Sequence, residues 1–162
     1  MDNEKPLKRN VNIQPLSREH HFGLLFCWKI KTGLKHHVDP ERMISYLKYF
    51  WENHLKSHFE EEEELLFNKA EHAIVDQGDE EHVQLEHYIS ILLNHQTDEA
   101  EDILLKMVTL LTAHIRYEER VLFPFLERHL TEQQLKEIGK QLEAEEEFVD
   151  EYSDEFWVIP RQ

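Results

Sequence analysis

Two ten-residue segments, HFEEEEELLF at residues 58–67 and HIRYEERVLF at residues 114–123, share one pattern: a histidine, glutamates four and five residues on, then Leu-Phe. A chain that repeats itself in this way is built from two similar halves. Upstream of each segment stands a second pair, Glu19-His20 and Glu81-His82. Each half therefore reads as a hairpin of two helices, with one histidine on the first helix and His-x3-Glu on the second. Residues four apart share a helix face, about 6 Å apart along its axis, so His58 with Glu62 and His114 with Glu118 can each address one point.

The surrounding apolar spacing supports helices throughout. Leu16, His20, Gly23, Leu24, Cys27, Ile30 and Leu34 recur at three-and-four intervals and predict a first helix, with Ser17 as a candidate cap. HHVDP ends it, and Asp39-Pro40 opens a second helix running to about Asn68. Its inner face is Met43, Leu47, Phe50, Trp51, His54, His58, Glu62 and Leu65 or Leu66. A polar connection containing Gly78 leads to a third helix, roughly Asp79 to Asn94, with His82, Leu85, Glu86, Ile89 and Leu92 in register. Thr97 or Asp98 begins a fourth, whose stripe is Ile103, Met107, Leu110, His114, Glu118, Val121 and Phe125, and Pro124 is expected to kink or shorten its last turns. Thr131 and Gln134 have the spacing of a capping box for a fifth helix edged by Leu135, Ile138 and Leu142. The tail aromatics Tyr152, Phe156 and Trp157 pack back on the bundle or meet another copy. The expected architecture is all-α: a polar, mobile arm at residues 1–14, an up-down-up-down four-helix bundle at 15–130, and a C-terminal helix and tail at 131–162 packed on it.

Helix rise brings the two halves to one level. At about 1.5 Å per residue, His20 and His58 differ by about 3 Å in height across a turn near residue 38, and His82 and His114 by about 6 Å across a turn near residue 96. The second and fourth helices run parallel, so Glu62 and Glu118 lie one turn beyond their histidines in the same direction. Two carboxylates in a dry core repel each other and lose hydration at high cost unless something cationic lies between them. Four histidines and two glutamates on inward stripes therefore predict a pair of metal ions bridged by Glu62 and Glu118.

Composition removes other readings. The 34 acidic against 18 basic residues give a net charge of −16, which repels phosphate backbones and anionic lipid. Neither nucleic acid nor membrane is an expected partner. No apolar run approaches the roughly 20 residues of a spanning helix, and the start MDNEKPLKRN lacks the apolar core of a signal peptide, so the cytoplasm is the expected compartment. Cys27 is the single cysteine and reads as a small buried hydrophobe, so any metal is held by nitrogen and oxygen. Of the twelve histidines, His54 lies one turn before His58 and is open to either a supporting or a structural role. His21 and His87 read as outward-facing, and His36, His37, His72, His95 and His129 as residues at or near helix ends. A ferritin-like carboxylate site needs Glu-x-x-His on two helices, a tetrad this chain lacks.

Over about residues 16–128 the chain resembles the hemerythrin and HHE cation-binding family. The resemblance rests on His20, on His58-x3-Glu62 followed by Leu66-Phe67, on His82, and on His114-x3-Glu118 followed by Leu122-Phe123-Pro124. It implies a non-haem di-iron centre, with His20 and His58 on one iron, His82 and His114 on the other, and Glu62 and Glu118 bridging both, usually alongside an oxo or hydroxo group. The oxygen-carrying members place a second histidine four residues after the first on the third helix, where this chain has Glu86. As a ligand Glu86 would add negative charge, favour ferric iron and weaken reversible oxygen binding; otherwise a coordination position is left for a small ligand. The metal-ligand candidates are thus His20, His58, Glu62, His82, Glu86, His114 and Glu118. Manganese and zinc accept the same ligand types, and iron is chosen on resemblance alone.

The expected function is a binding module that senses or binds a small diatomic, oxygen or nitric oxide, or handles iron in redox stress. The alternatives are a di-iron enzyme acting on peroxide or nitric oxide or supporting iron–sulfur cluster repair, and a metal-free helical interaction protein. A homo-oligomer is left open.

Overall fold

A computed structural model describes residues 8–160, and every regular element in that span is helical. The elements are α1 (Gln14–Lys35), α2 (Pro40–Phe50), a π-helical turn (Trp51–Leu55), α3 (Lys56–Leu65), a 3-10 turn (Phe67–Lys69), α4 (Ala73–Leu93), α5 (Ala100–Tyr117), a second π-helical turn (Glu118–Leu122), α6 (Phe123–His129) and α7 (Glu132–Glu143). The two π-turns join their flanking helices, so the bundle has four rods: α1, α2 with α3, α4, and α5 with α6. They run up, down, up and down. None of these helices is long and apolar enough to cross a membrane.

Local chemistry sets the ends of the rods. Asp39 accepts the Glu41 N–H ahead of Pro40, and Thr131 with Gln134 forms the expected capping box. The first helix of each hairpin ends in the same way, with His37 (φ 54°) and His95 (φ 52°) in the left-handed region.

Several expectations are corrected. Ser17 lies inside α1 and donates to Glu119 Oε2 at 2.9 Å instead of capping. The expected mobile arm is packed over its described part: Arg9 pairs with Glu119 and Glu127, and Ile13 is fully buried. Residues 1–7 lie outside the described residues. The third rod begins at Ala73, where the His72 ring accepts the Ile74 N–H at 3.1 Å, so Gly78 is helical and not in a connection. A Cβ at Gly78 would sit 2.6 Å from Leu122 Cδ1 and 3.2 Å from the Phe67 ring, so the glycine allows close approach.

The stripe of the fourth rod also shifts. Beyond Glu118 the buried residues are Leu122, Phe123 and Leu126, whereas Val121 is exposed and Phe125 only half-buried. In the π-turn the Phe123 N–H reaches back five residues to the Glu118 carbonyl, which rotates everything after it by one position. Pro124, which has no N–H and would crowd a regular turn, follows immediately.

Two apolar clusters fill the bundle. One gathers Phe26, Leu47, Phe50, Phe59, Ile89, Leu111 and their neighbours, and the other gathers Leu16, Leu66, Phe67, Leu122, Phe123 and Leu126 with the inner edge of α7. Between them lies a layer of buried polar side chains: His20, His58, Glu62, His82, His114 and Glu118.

After α7 the chain runs back over α1 and α2. Phe156 is buried against Gly33 and Met43. Lys29, itself buried, meets Asp150 at 3.0 Å and lies 4.0 Å above the Trp157 ring, while Tyr46 donates to the same Asp150 at 2.5 Å. The tail aromatics thus pack on the bundle.

Candidate metal centre

Each rod brings one imidazole to the polar layer, and the second and fourth rods add a carboxylate one turn further on. The ring nitrogens converge through Nε2. His58 Nε2 lies 3.2 Å from Glu62 Oε1, as does His82 Nε2. His20 Nε2 lies 2.9 Å from Glu118 Oε1 and 3.5 Å from Glu62 Oε2, and His114 Nε2 lies 3.2 Å from Glu118 Oε1. Two overlapping groups result, His20-His58-Glu62-Glu118 and His82-His114-Glu62-Glu118, in each of which the potential ligand atoms lie within 4.8 Å of one another. Both glutamates belong to both groups.

These atoms are poorly served by the protein alone. Both oxygens of Glu62, Oε2 of Glu118 and Nε2 of His82 and His114 are buried with no hydrogen-bond partner of good geometry. Buried polar atoms are normally satisfied, and orphans gathered in one layer fit a cation that would take their lone pairs.

The same crowding shifts the titrations. Burial works against charging His58, but the Glu62 and Glu19 carboxylates outweigh it and lift the imidazole to about 10. His114 is likewise opposed by burial and raised to about 9 by Glu118, Glu81 and Glu62. Burial alone would raise Glu62, yet His58, His20 and His82 hold it well below the usual carboxylate range. Protons and cations compete for the same nitrogens here.

Of the seven residues proposed from sequence, six converge and Glu86 does not. Its side chain is exposed and belongs to neither group. The buried positions Gly78, His82, Leu85, Ile89 and Leu92 drift around α4 away from the side that carries Glu86. His54 is buried against Phe22, Phe50 and Phe148, and burial followed by the nearby His58 lowers it to about 4. It forms a neutral wall. The seven other histidines are exposed.

Two glutamates carry contacts that the sequence reading left without a role. His58 Nδ1 meets Glu19 Oε2 at 2.5 Å, and His114 Nδ1 meets Glu81 Oε1 at 2.8 Å. Their signal was the Glu-His pair that recurs ahead of each segment. Beside the centre lies a cavity of about 10 Å³, bounded by Glu19, His20, Gly23, His54, His58 and Ile115 among others. That is room for roughly one water-sized molecule.

A helical bundle with a buried layer of four histidines and two shared glutamates defines a cation-binding protein of the non-thiolate kind. The description "Hemerythrin HHE cation binding domain" matches residues 16–126, more than half of the chain. The protein belongs to that family, and cation binding comes with the membership. No curated protein and no solved structure gives a significant match.

Proposed function

We propose that this protein holds two iron ions, His20 and His58 serving one and His82 and His114 the other, with Glu62 and Glu118 spanning the pair. It binds or senses a small diatomic, oxygen or nitric oxide, or handles iron in redox stress, and it works in the cytoplasm without nucleic-acid or membrane partners. The observation that carries this reading is the pair of overlapping groups that share two buried carboxylates, three of whose four oxygens have no hydrogen-bond partner. The adjoining cavity, with room for about one water-sized molecule, favours a ligand no larger than a diatomic. Bound iron supplies a redox-active Lewis acid.

The chain's own part is to hold the ligands in place, exclude bulk water and bring anionic charge that favours the cations. Iron is preferred on family membership, since imidazole and carboxylate serve manganese and zinc as well.

Metal analysis of protein purified without added metal, with an optical spectrum in air, tests the proposal. Two irons per chain with charge-transfer bands, and stable adducts with nitric oxide or azide, are expected. Turnover of peroxide or nitric oxide would replace binding with an enzymatic reading. A chain free of metal that stays folded and inert would sink both.

A further inference from the structure

Four acidic residues stand directly beside the converging ones in the sequence: Glu19 before His20, Glu63 after Glu62, Glu81 before His82 and Glu119 after Glu118. None of them is in the shared groups, and each reaches the outward ring nitrogen of a histidine on another rod. Glu19 on the first rod meets His58 Nδ1 on the second at 2.5 Å. Glu63 on the second lies 3.5 Å from His82 Nδ1 on the third. Glu81 on the third meets His114 Nδ1 on the fourth at 2.8 Å. Glu119 on the fourth lies 3.5 Å from His20 Nδ1 on the first and closes the ring. Every rod thus sets a carboxylate beside the histidine of the next in one rotational sense. An imidazole that donates its Nδ1–H to a carboxylate keeps the Nε2 lone pair directed the other way, and for all four histidines that direction is the centre.

We propose that this ring of carboxylates is the positioning apparatus of the centre, with Glu19 and Glu81 as its firm members and Glu63 and Glu119 as its looser ones. The two contacts within a hairpin are hydrogen bonds, whereas the two between hairpins are longer and leave His82 Nδ1 and His20 Nδ1 without a partner of good geometry. The hairpins therefore arrive with one preset histidine each, and the other two settle less tightly. This inference rests on the metal reading above.

Zinc, a diamagnetic probe for the same ligand set, separates the two. Isothermal titration of the wild type, E81A, E81Q and E63A gives the affinities, and NMR of the zinc-loaded, ¹⁵N-histidine-labelled proteins reports the His114 Nδ1–H. E81A is expected to bind zinc roughly 10- to 100-fold more weakly and to lose the deshielded, slowly exchanging His114 Nδ1–H signal. E81Q keeps an acceptor oxygen and recovers much of both, and E63A loses less than E81A. A purely structural role for Glu81 would leave that ring proton where it is. Two zinc ions bound by E81A at wild-type affinity with an unaltered His114 signal, or a larger loss in E63A than in E81A, would overturn the positioning assignment alone. A wild type that takes up no zinc and no iron would overturn the metal reading itself.

Discussion

The two halves of the centre come from one repeated segment, yet their walls differ. Around His82 the Phe59 ring stacks at 3.9 Å between centroids and Phe67 follows at 5.1 Å. Around His20, its counterpart, Phe123 stacks alone at 5.3 Å, and the half's other histidine, His58, has a further imidazole, His54, at 5.9 Å, with Phe148 from the tail 4.6 Å beyond it. Outside Phe148 open two grooves, of about 640 and 440 Å³, and Glu19 and Phe148 line both. The position equivalent to His54 in the second segment is Leu110. Repetition thus sets the converging residues, while residues one turn away decide which half faces the grooves. The second of these grooves reaches His54 itself.

Substitution at the shared carboxylates should do the most damage and should not distinguish the halves. Glu62→Ala and Glu118→Ala are each expected to abolish binding of both ions, and with it the heat stability that metal adds. For two ions each present at a thousand times its Kd, that stability is about 8 kcal/mol, or roughly 20 °C in Tm. Metal analysis beside melting curves checks this, and loss of one ion only would break the shared-centre arrangement.

Next in size is the aromatic wall of the second half. Phe59 is fully buried, and Phe59→Ala should cost about 3–5 kcal/mol in denaturant unfolding. Phe148→Ala, at the half-buried tail, should cost clearly less.

The pH dependence of chelator-treated protein should be smaller again. His58 and His114 are raised above the ordinary histidine value of about 6.5, so their stabilising contribution is complete below that pH. It disappears as pH climbs through about 9 for His114 and about 10 for His58. Melting temperature should therefore fall between pH 7 and 10 without metal, while metal-loaded protein, whose nitrogens no longer carry those protons, should not follow. A flat profile in the chelated protein would contradict the paired-charge account. The smallest expected effect is kinetic: Phe148→Ala should speed azide binding several-fold in stopped flow with metal content unchanged, because it removes the cover over His54.

Much of this was legible beforehand because helical periodicity and the internal repeat act over a few residues. The four histidines, Glu62 and Glu118 could be placed on one level from spacing alone. What escaped depends on contacts between rods. Gly78 looked like a connector, but its missing side chain makes room for Leu122 and Phe67. Val121 and Phe125 fit an unbroken α-helix, and only the π-turn hands the interior to Leu122 and Leu126. Lys29 gave no sign of burial, since its partners Asp150 and Trp157 lie more than a hundred residues on. Glu86 satisfied the three-and-four rule and still lies outside, because a buried stripe drifts around its helix.

The sandwich of one polar layer between two oily clusters gives the molecule a waist. Each end is held by its own side chains, so stripping the ions should loosen the middle first, with amides flanking Glu62 and Glu118 exchanging faster while both ends keep their protection. A cation in such a place works as a rivet: it joins two parts that could each stay shut without it, and its arrival or departure would be felt at the join.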